Sequence, residues 1–376
     1  MKFLHTADWH IGKKLHGKEL YEEQRYILNQ ILEQIDEHNP DFLIIAGDLY
    51  DKSMPSKEAI TLLQEILEEI NIKRKLPIYA ISGNHDNRER LSIGKAWFSR
   101  NNYYLHTTLE QSFEKININE TTNIYLMPYF DPAEARVYFE DNELITHHKA
   151  TKKVIDKIYE TLDESKVNIL VAHTFVAGSE KKITDSEREI SVGTVENVAV
   201  DVFEKFDYVA LGHLHNPKAT SEKRIKYSGS PLAYSFSEEK QQKGTRLVTI
   251  TKENYVEEFL PLKPLKNLHI IKSSYDEVVE KKFYENYNRN DYFSMELSGL
   301  EEVTDPMPRL REYYPNLLVL KASEKNKNIE SEKIEKVILK KPEELIANFY
   351  EEQMGENLTK EQMNLINKLL KVGEEE

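Results

Sequence analysis

The sequence predicts an α/β sandwich, and three patterns in it do so. Short, nearly continuous apolar runs recur at 42–46 (Phe-Leu-Ile-Ile-Ala), 77–81, 167–172 and 206–211. Strands without polar alternation are buried on both faces. Stretches of helical period lie between them, as at 20–38 through Leu20, Ile27, Leu28, Ile31, Leu32 and Ile35. The apolar runs also end in residues that can bind a cation, and in α/β sheets ligands collect beyond the carboxyl ends of the strands.

In chain order, residues 2–7 read as a buried strand ending in Asp8-Trp9-His10. Side chains two apart share a face of an extended chain, so Asp8 and His10 point the same way. The strand at 42–46 ends in Gly47-Asp48, followed by Asp51. A helix at 56–70 follows, with Ser56 as its N-cap after Pro55. The strand at 77–81 leads into Gly83-Asn84-His85-Asp86, where glycine permits a sharp turn. A helix is expected at 88–100, strands within 113–130 and a helix at 147–163. The strand at 167–172 ends in His173, and a charged, glycine-containing stretch at 177–196 reads as a loop. The strand at 206–211 ends in Gly212-His213-Leu214-His215, again with two histidines on one face, and β-hairpins are expected within 224–260.

Beyond residue 262 the composition changes. Strands at 268–273 and 292–297, a helix at 275–288 and a proline-containing segment at 305–315 make a small α+β unit. Residues 322–341, rich in Lys, Glu and Asn for most of their length, read as a linker. Helices at 342–353 and 359–371 follow, the first opened by Pro342 and the second capped by Thr359. The division expected is 1–262, 263–321, 322–341 and 342–376.

The whole chain narrows the class. Its 376 residues suffice for more than one domain, and it carries no cysteine, which excludes disulfides and zinc–thiolate sites and suggests a reducing compartment. No signal peptide or membrane-spanning run is evident, so a cytoplasmic location is expected. With 51 Lys and Arg against 65 Asp and Glu, the formal charge is −14. Such a chain is a poor generic binder of nucleic acid, so a polyanionic substrate needs bound metal, local basic clusters or a partner.

The strand-end residues are the informative ones. A lone histidine is ordinarily a surface or satisfied core residue, but Asp8, His10, Asp48, Asn84, His173, His213 and His215 all lie at ends of apolar strands. Imidazole and oxygen ligands without sulfur suit manganese, iron or zinc better than an all-oxygen magnesium cage. Seven ligands exceed one tetrahedral zinc and suit two metals that share a bridging carboxylate.

The ordered set Asp8-x-His10, Gly47-Asp48, Gly83-Asn84-His85-Asp86, His173 and Gly212-His213-x-His215 resembles the calcineurin-like metallophosphoesterase superfamily. Within it, the stretches His5–Gly12, Asp185–Gly193 and Tyr227–Leu232 with Ser235-Phe236 are similar to the bacterial nuclease subunits that pair with an SbcC-like SMC-family ATPase. That similarity covers essentially the whole chain.

The resemblance implies a β-sandwich flanked by helices, a small α+β capping domain that binds DNA, and a C-terminal helical pair. It implies that Asp8, His10, Asp48 and His215 hold one divalent metal, and Asp48, Asn84, His173 and His213 another, with Asp48 bridging and Mn2+ favoured. His85 corresponds to a catalytic histidine that is not a ligand. Archaeal members carry a histidine near the position of Asp51, and this chain has the aspartate, a candidate for orienting His85. The function implied is a DNA exonuclease on double-stranded ends and endonuclease on single-stranded or hairpin DNA, acting in repair, recombination and replication. A metallophosphatase, a cyclic-nucleotide phosphodiesterase or a scaffold for the ATPase are the alternatives.

Two partner surfaces are expected. A two-fold homodimer would pair through the helices at 56–70 and 88–100, where Ile60, Leu63, Ile66, Leu67 and Ile70 have helical spacing that core packing would also explain. The C-terminal helices, with Leu345, Ile346, Phe349 and Tyr350 on one and Met363, Leu365, Ile366, Leu369 and Leu370 on the other, would dock on the ATPase coiled coil or pack on the unit at 265–320.

Overall fold

A computed structural model describes residues 1–176, 197–301 and 303–323, with Tyr350, Leu358, Thr359, Gln362 and Met363. The loop expected at 177–196, most of the linker and, apart from those five residues, the C-terminal helices lie outside the described residues. At the expected second helix start, the Thr359 N–H donates to Gln362 Oε1 (2.8 Å) and the Gln362 N–H to Thr359 Oγ1 (3.3 Å), which is a capping box.

The strands in chain order are β1 (Lys2–Thr6), the short pair β2 (Lys14–Leu15) and β3 (Lys18–Glu19), β4 (Phe42–Ala46), β5 (Ile78–Ile81), β6 (Tyr103–His106), β7 (Lys115–Asn119), β8 (Thr122–Met127), β9 (Val167–His173), β10 (Tyr208–Gly212), β11 (Ile225–Tyr227), β12 (Gly244–Ile250), β13 (Tyr255–Pro261), β14 (Leu268–Ser274), β15 (Tyr292–Ser298) and β16 (Leu317–Ala322). A six-stranded sheet runs β13-β12-β1-β4-β5-β6 and a five-stranded sheet β11-β10-β9-β8-β7. The two face each other across a core that includes Phe3, Ile44, Ile81, Ile169, Val171 and Ala210. Helices α1 (Tyr21–His38) and α2 (Lys57–Leu67) cover the outside of the first sheet, and a helix at His147–Tyr159 covers the second. This accounts for the unbroken apolar runs: β4, β5, β9 and β10 are buried along their whole length.

β1, β4, β5 and β6 are parallel, as are β8, β9, β10 and β11. The carboxyl ends of β1, β4 and β5 therefore open at one edge of their sheet, and those of β9 and β10 at the matching edge of the other. Only β12 and β13 form the hairpin expected within 224–260; β11 pairs in parallel with β10.

The small unit is a parallel sheet, β14-β15-β16, with Ile271, Phe293, Met295, Leu297 and Leu317 packed under short helices. The helix expected at 275–288 is two pieces, Tyr275–Val278 and Lys281–Tyr284. The Tyr314 hydroxyl donates to the Val278 carbonyl (2.9 Å), occupying an acceptor that a continuing helix would need. The helix expected at 88–100 is also broken. Gly94 sits at φ +86°, separating Arg88–Leu91 from Lys95–Phe98.

That break matters for the surface. Leu63, Ile66 and Ile70 of the proposed pairing set belong to the core, whereas Ile60 is 43% exposed. Beside it stand Ile72, Ile93 and Trp97, at 55%, 72% and 71% exposure. They line an apolar groove of about 760 Å³ together with Leu67 and Phe98. Among the described residues no helix is long and apolar enough to cross a membrane.

Candidate metal centre

The loops after β1 and β4 are joined by main-chain bonds. The N–H groups of Asp8, His10 and Ile11 donate to the carbonyls of Gly47, Asp48 and Leu49 at 2.9–3.0 Å. Asp8, His10, Asp48 and His213 all have positive φ (53°, 42°, 51° and 100°). Non-glycine residues seldom hold that conformation, and its clustering here marks a site where side-chain placement outweighs local backbone preference.

Each key carboxylate uses one oxygen to fix a neighbouring loop. Asp8 Oδ1 accepts from the His213 N–H and Asp48 Oδ1 from the His85 N–H, both at 2.9 Å. The other oxygens face inward. Asp8 Oδ2 is buried without a hydrogen-bond partner. Asp48 Oδ2 lies between two imidazoles, 3.5 Å from His10 Nε2 and 3.4 Å from His173 Nε2. His10 Nε2 is 3.0 Å from His215 Nε2, and His173 Nε2 is 3.0 Å from Asn84 Oδ1. The His213 ring packs edge-on against His173, centroids 5.4 Å apart. All seven strand-end residues are thus brought together, their electron-pair donors crowded into one buried space.

The donor set fits divalent cations. His173 Nδ1 donates to the Ala46 carbonyl (2.9 Å) and His215 Nδ1 to Glu238 Oε1 (3.1 Å), which leaves Nε2 of each ring as the lone-pair atom. Burial holds His10 and His213 well below the ordinary histidine range, so both are neutral. Burial pushes Asp8 up to about 7. Asp48 resists its burial: the facing histidines, His173 foremost, keep it well below the carboxylate range. His173 in turn is lifted to about 9 against its burial, chiefly by Asp48. The site pulls positive charge onto its own imidazole, and a metal ion supplies such charge without that proton. Asp8, His10 and Asp48 each bring one ligand atom within 4.8 Å of the others, and so do His10, Asp51 and His85.

Asp86 is a brace. Its carboxylate accepts from the N–H groups of Leu49, Tyr50 and Gly83 at 2.9–3.1 Å, tying the loop after β4 to the loop after β5. His85 lies against His10, ring centroids 4.7 Å apart, and its Nδ1 donates to the main-chain oxygen of Asp51 (2.8 Å). The peptide oxygen of Asp51 thus anchors the ring, while the carboxylate expected to orient His85 has an oxygen that accepts from Lys13 Nζ (2.8 Å).

Three glycines make the convergence possible. A Cβ on Gly47 would fall 2.3 Å from His173 Nδ1, one on Gly83 2.1 Å from Asp48 Oδ1, and one on Gly212 1.9 Å from the Ala46 carbonyl oxygen. Gly212 has no left-handed conformation to lose, so Gly212→Ala tests the close approach alone. It should cost at least about 1–3 kcal/mol through overpacking and weaken metal binding, read by thermal melting and metal titration.

Sequence reading missed the supports. Gln24 on α1 donates to the His10 carbonyl (2.8 Å) and accepts from the Gly12 N–H (3.0 Å). Its signal was a polar residue that, with Glu23, is buried at the start of a helix face otherwise made of Ile and Leu. Tyr234, whose hydroxyl donates to the Trp9 carbonyl, and Glu238 flank the Ser235-Phe236 stretch already singled out, but no periodicity marks them.

Residues 1–217, more than half of the chain, match the calcineurin-like phosphoesterase family. The chain is 42% identical over 376 residues to the SbcD subunit of nuclease SbcCD from Staphylococcus epidermidis (strain ATCC 12228 / FDA PCI 1200), covering 98% of each. The chain belongs to the SbcD family of calcineurin-like phosphoesterases. Its residues 264–354 match the type 5 capsule protein repressor C-terminal domain, which takes in the sheet β14-β15-β16. Two solved structures are remotely similar, each at 12% identity over 69% of this chain: TT1561 of Thermus thermophilus (98% of that chain, TM-score 0.39) and Yfce, a phosphoesterase from E. coli (100% of that chain, TM-score 0.28). All seven strand-end candidates, from Asp8 to His215, lie within the matched segment 1–217.

Proposed function

We propose that this chain is the metal-dependent nuclease subunit of an SbcCD-type complex, cutting DNA as an exonuclease at double-stranded ends and as an endonuclease on single-stranded and hairpin DNA. The observation that carries the reading is Asp48 Oδ2, placed between His10 Nε2 and His173 Nε2 with further donors behind each. Asp8, His10, Asp48 and His215 hold one cation, and Asp48, Asn84, His173 and His213 the other; manganese suits their mixed imidazole and oxygen donors. Two cations held there would supply the charge that neutralises a phosphodiester and lowers the pKa of an attacking water. Asp48 fixes the spacing of the two ligand sets, and Asn84 contributes a neutral oxygen. His85 donates its Nδ1–H to the Asp51 carbonyl, so as the imidazolium it would carry its second proton on Nε2 and give that proton to the leaving oxygen, ending as the neutral ring.

The chain acts in the cytoplasm with an SbcC-like SMC-family ATPase. The ATPase offsets the −14 charge by supplying basic surface, and the C-terminal helices at 342–376 dock on its coiled coil, joined through the linker at 322–341 to the capping domain at 263–321 and the nuclease domain at 1–262. A second copy covers the groove of Ile60, Ile72, Ile93 and Trp97, an exposed apolar area that fits a two-fold pair. Trp97→Glu should convert a micromolar dimer to a folded monomer in sedimentation. A native protein that sediments as a monomer would contradict the pairing.

The reading is tested with purified protein on linear duplex and hairpin DNA, with manganese, magnesium or chelator, with and without the ATPase. Manganese-dependent cleavage abolished by chelator is expected. Intact DNA alongside hydrolysis of phosphomonoesters or cyclic nucleotides would favour a phosphatase instead.

A further inference from the structure

His215 is held at both ends by one buried ion pair. Its Nδ1 faces Glu238 Oε1 at 3.1 Å, and Glu238 is completely buried. Glu238 Oε2 meets Lys243 Nζ at 2.6 Å, and Lys243 is 6% exposed. The same ammonium donates to the main-chain oxygen of His215 (2.9 Å), to Ser230 Oγ (3.0 Å) and to Gln241 Oε1 (2.8 Å). Glu238 also accepts from Ser235 Oγ and the Tyr234 N–H, both at 3.3 Å. The contrast is with His173, whose Nδ1 hydrogen-bonds the neutral Ala46 carbonyl in a comparable place.

We propose that Glu238 and Lys243 form a positioning pair that fixes His215 with its Nε2 lone pair directed into the donor cluster and makes it the stronger of the two ligands so anchored. A carboxylate on Nδ1 fixes the tautomer and ring orientation and raises the basicity of Nε2. A carboxylate buried alone would be costly, and Lys243 neutralises it. Because Lys243 also grips the His215 main chain, side chain and backbone are set together. The arrangement lies on the turn 236–243, well outside the strand-end motifs. The neighbouring Glu239 points the other way, accepting from the Ile270 N–H of β14 (3.0 Å).

The proposal rests on the two-ion reading above, and the test separates them. Manganese is titrated into metal-free native protein, Glu238→Gln and, as a control, Glu239→Gln, with occupancy followed by calorimetry and by electron paramagnetic resonance. Native protein and Glu239→Gln should take up two ions. In Glu238→Gln one ion should bind about 10–100-fold more weakly, with the other within threefold of native. Equal weakening of both ions, or none, would overturn the pair's positioning role. Fewer than two ions in the native protein would overturn the two-ion reading and the proposal with it. If Glu238→Gln fails to fold, Glu238→Gln/Lys243→Met removes both charges so that neither is buried alone. That variant should fold and show the same one-ion defect; two native-like ions in it, or failure to fold, would overturn the proposal.

Discussion

Asp48→Ala should remove both metal ions and with them all measurable DNA cleavage. Asp48 is the residue whose inward oxygen lies within 3.5 Å of imidazoles from two different strand ends, so its loss breaks both ligand sets at once. The substitution also frees the His85 N–H, which Asp48 Oδ1 accepts at 2.9 Å. Metal catalysis of phosphoryl chemistry is worth several kcal/mol, and each 1.4 kcal/mol or so is tenfold in rate, so a loss of about a thousandfold or more is expected. The measurement is metal content of the dialysed variant beside its turnover. Two ions retained in folded Asp48→Ala protein would show that the bridge lies elsewhere.

His85→Gln should separate binding from chemistry. The His85 ring packs on His10 but is anchored to a peptide carbonyl, outside the two ligand sets proposed above. The variant should keep both ions and bind DNA, while turnover falls by about 10²–10⁴-fold, the usual worth of a general acid. The bond to the main-chain oxygen of Asp51 leads to a companion result. Asp51→Asn keeps that carbonyl and removes the charge that faces Lys13 and, at 3.8 Å, His10 Nδ1, so it should affect the rate less than His85→Gln. Loss of one ion in His85→Gln would make His85 a ligand and not an acid.

Much of this was legible from residue order because the site is built from strand ends. β4, β5, β9 and β10 are buried on both faces, so their apolar runs stood out, and the parallel arrangement placed Asp48, Asn84, His173 and His213 at the same edge. The two-residue period paired Asp8 with His10 and His213 with His215, although the positive φ of Asp8, His10 and His213 means that the chain there is no longer extended. The pairs converge because the loops are locked to one another by Asp48, Asp8 and Asp86, and no local periodicity encodes that. Ligands were recognisable as residue types, whereas supports were not: Glu238 and Lys243 reach His215 from 23 and 28 residues away, and Asp51 acts on His85 through a peptide oxygen that any residue possesses. Helices were legible where an apolar face is continuous, as in α1. They were misjudged where one residue interrupts them, as Gly94 does at φ +86°.

The central claim is that two cations are held on either side of Asp48. Crystals of the full chain grown with manganese, measured at the manganese absorption edge, test it directly. The account predicts two anomalous peaks per chain, one among Asp8, His10, Asp48 and His215 and one among Asp48, Asn84, His173 and His213, with Asp48 touching both. A single peak, or a pair of which Asp48 touches only one, would contradict it.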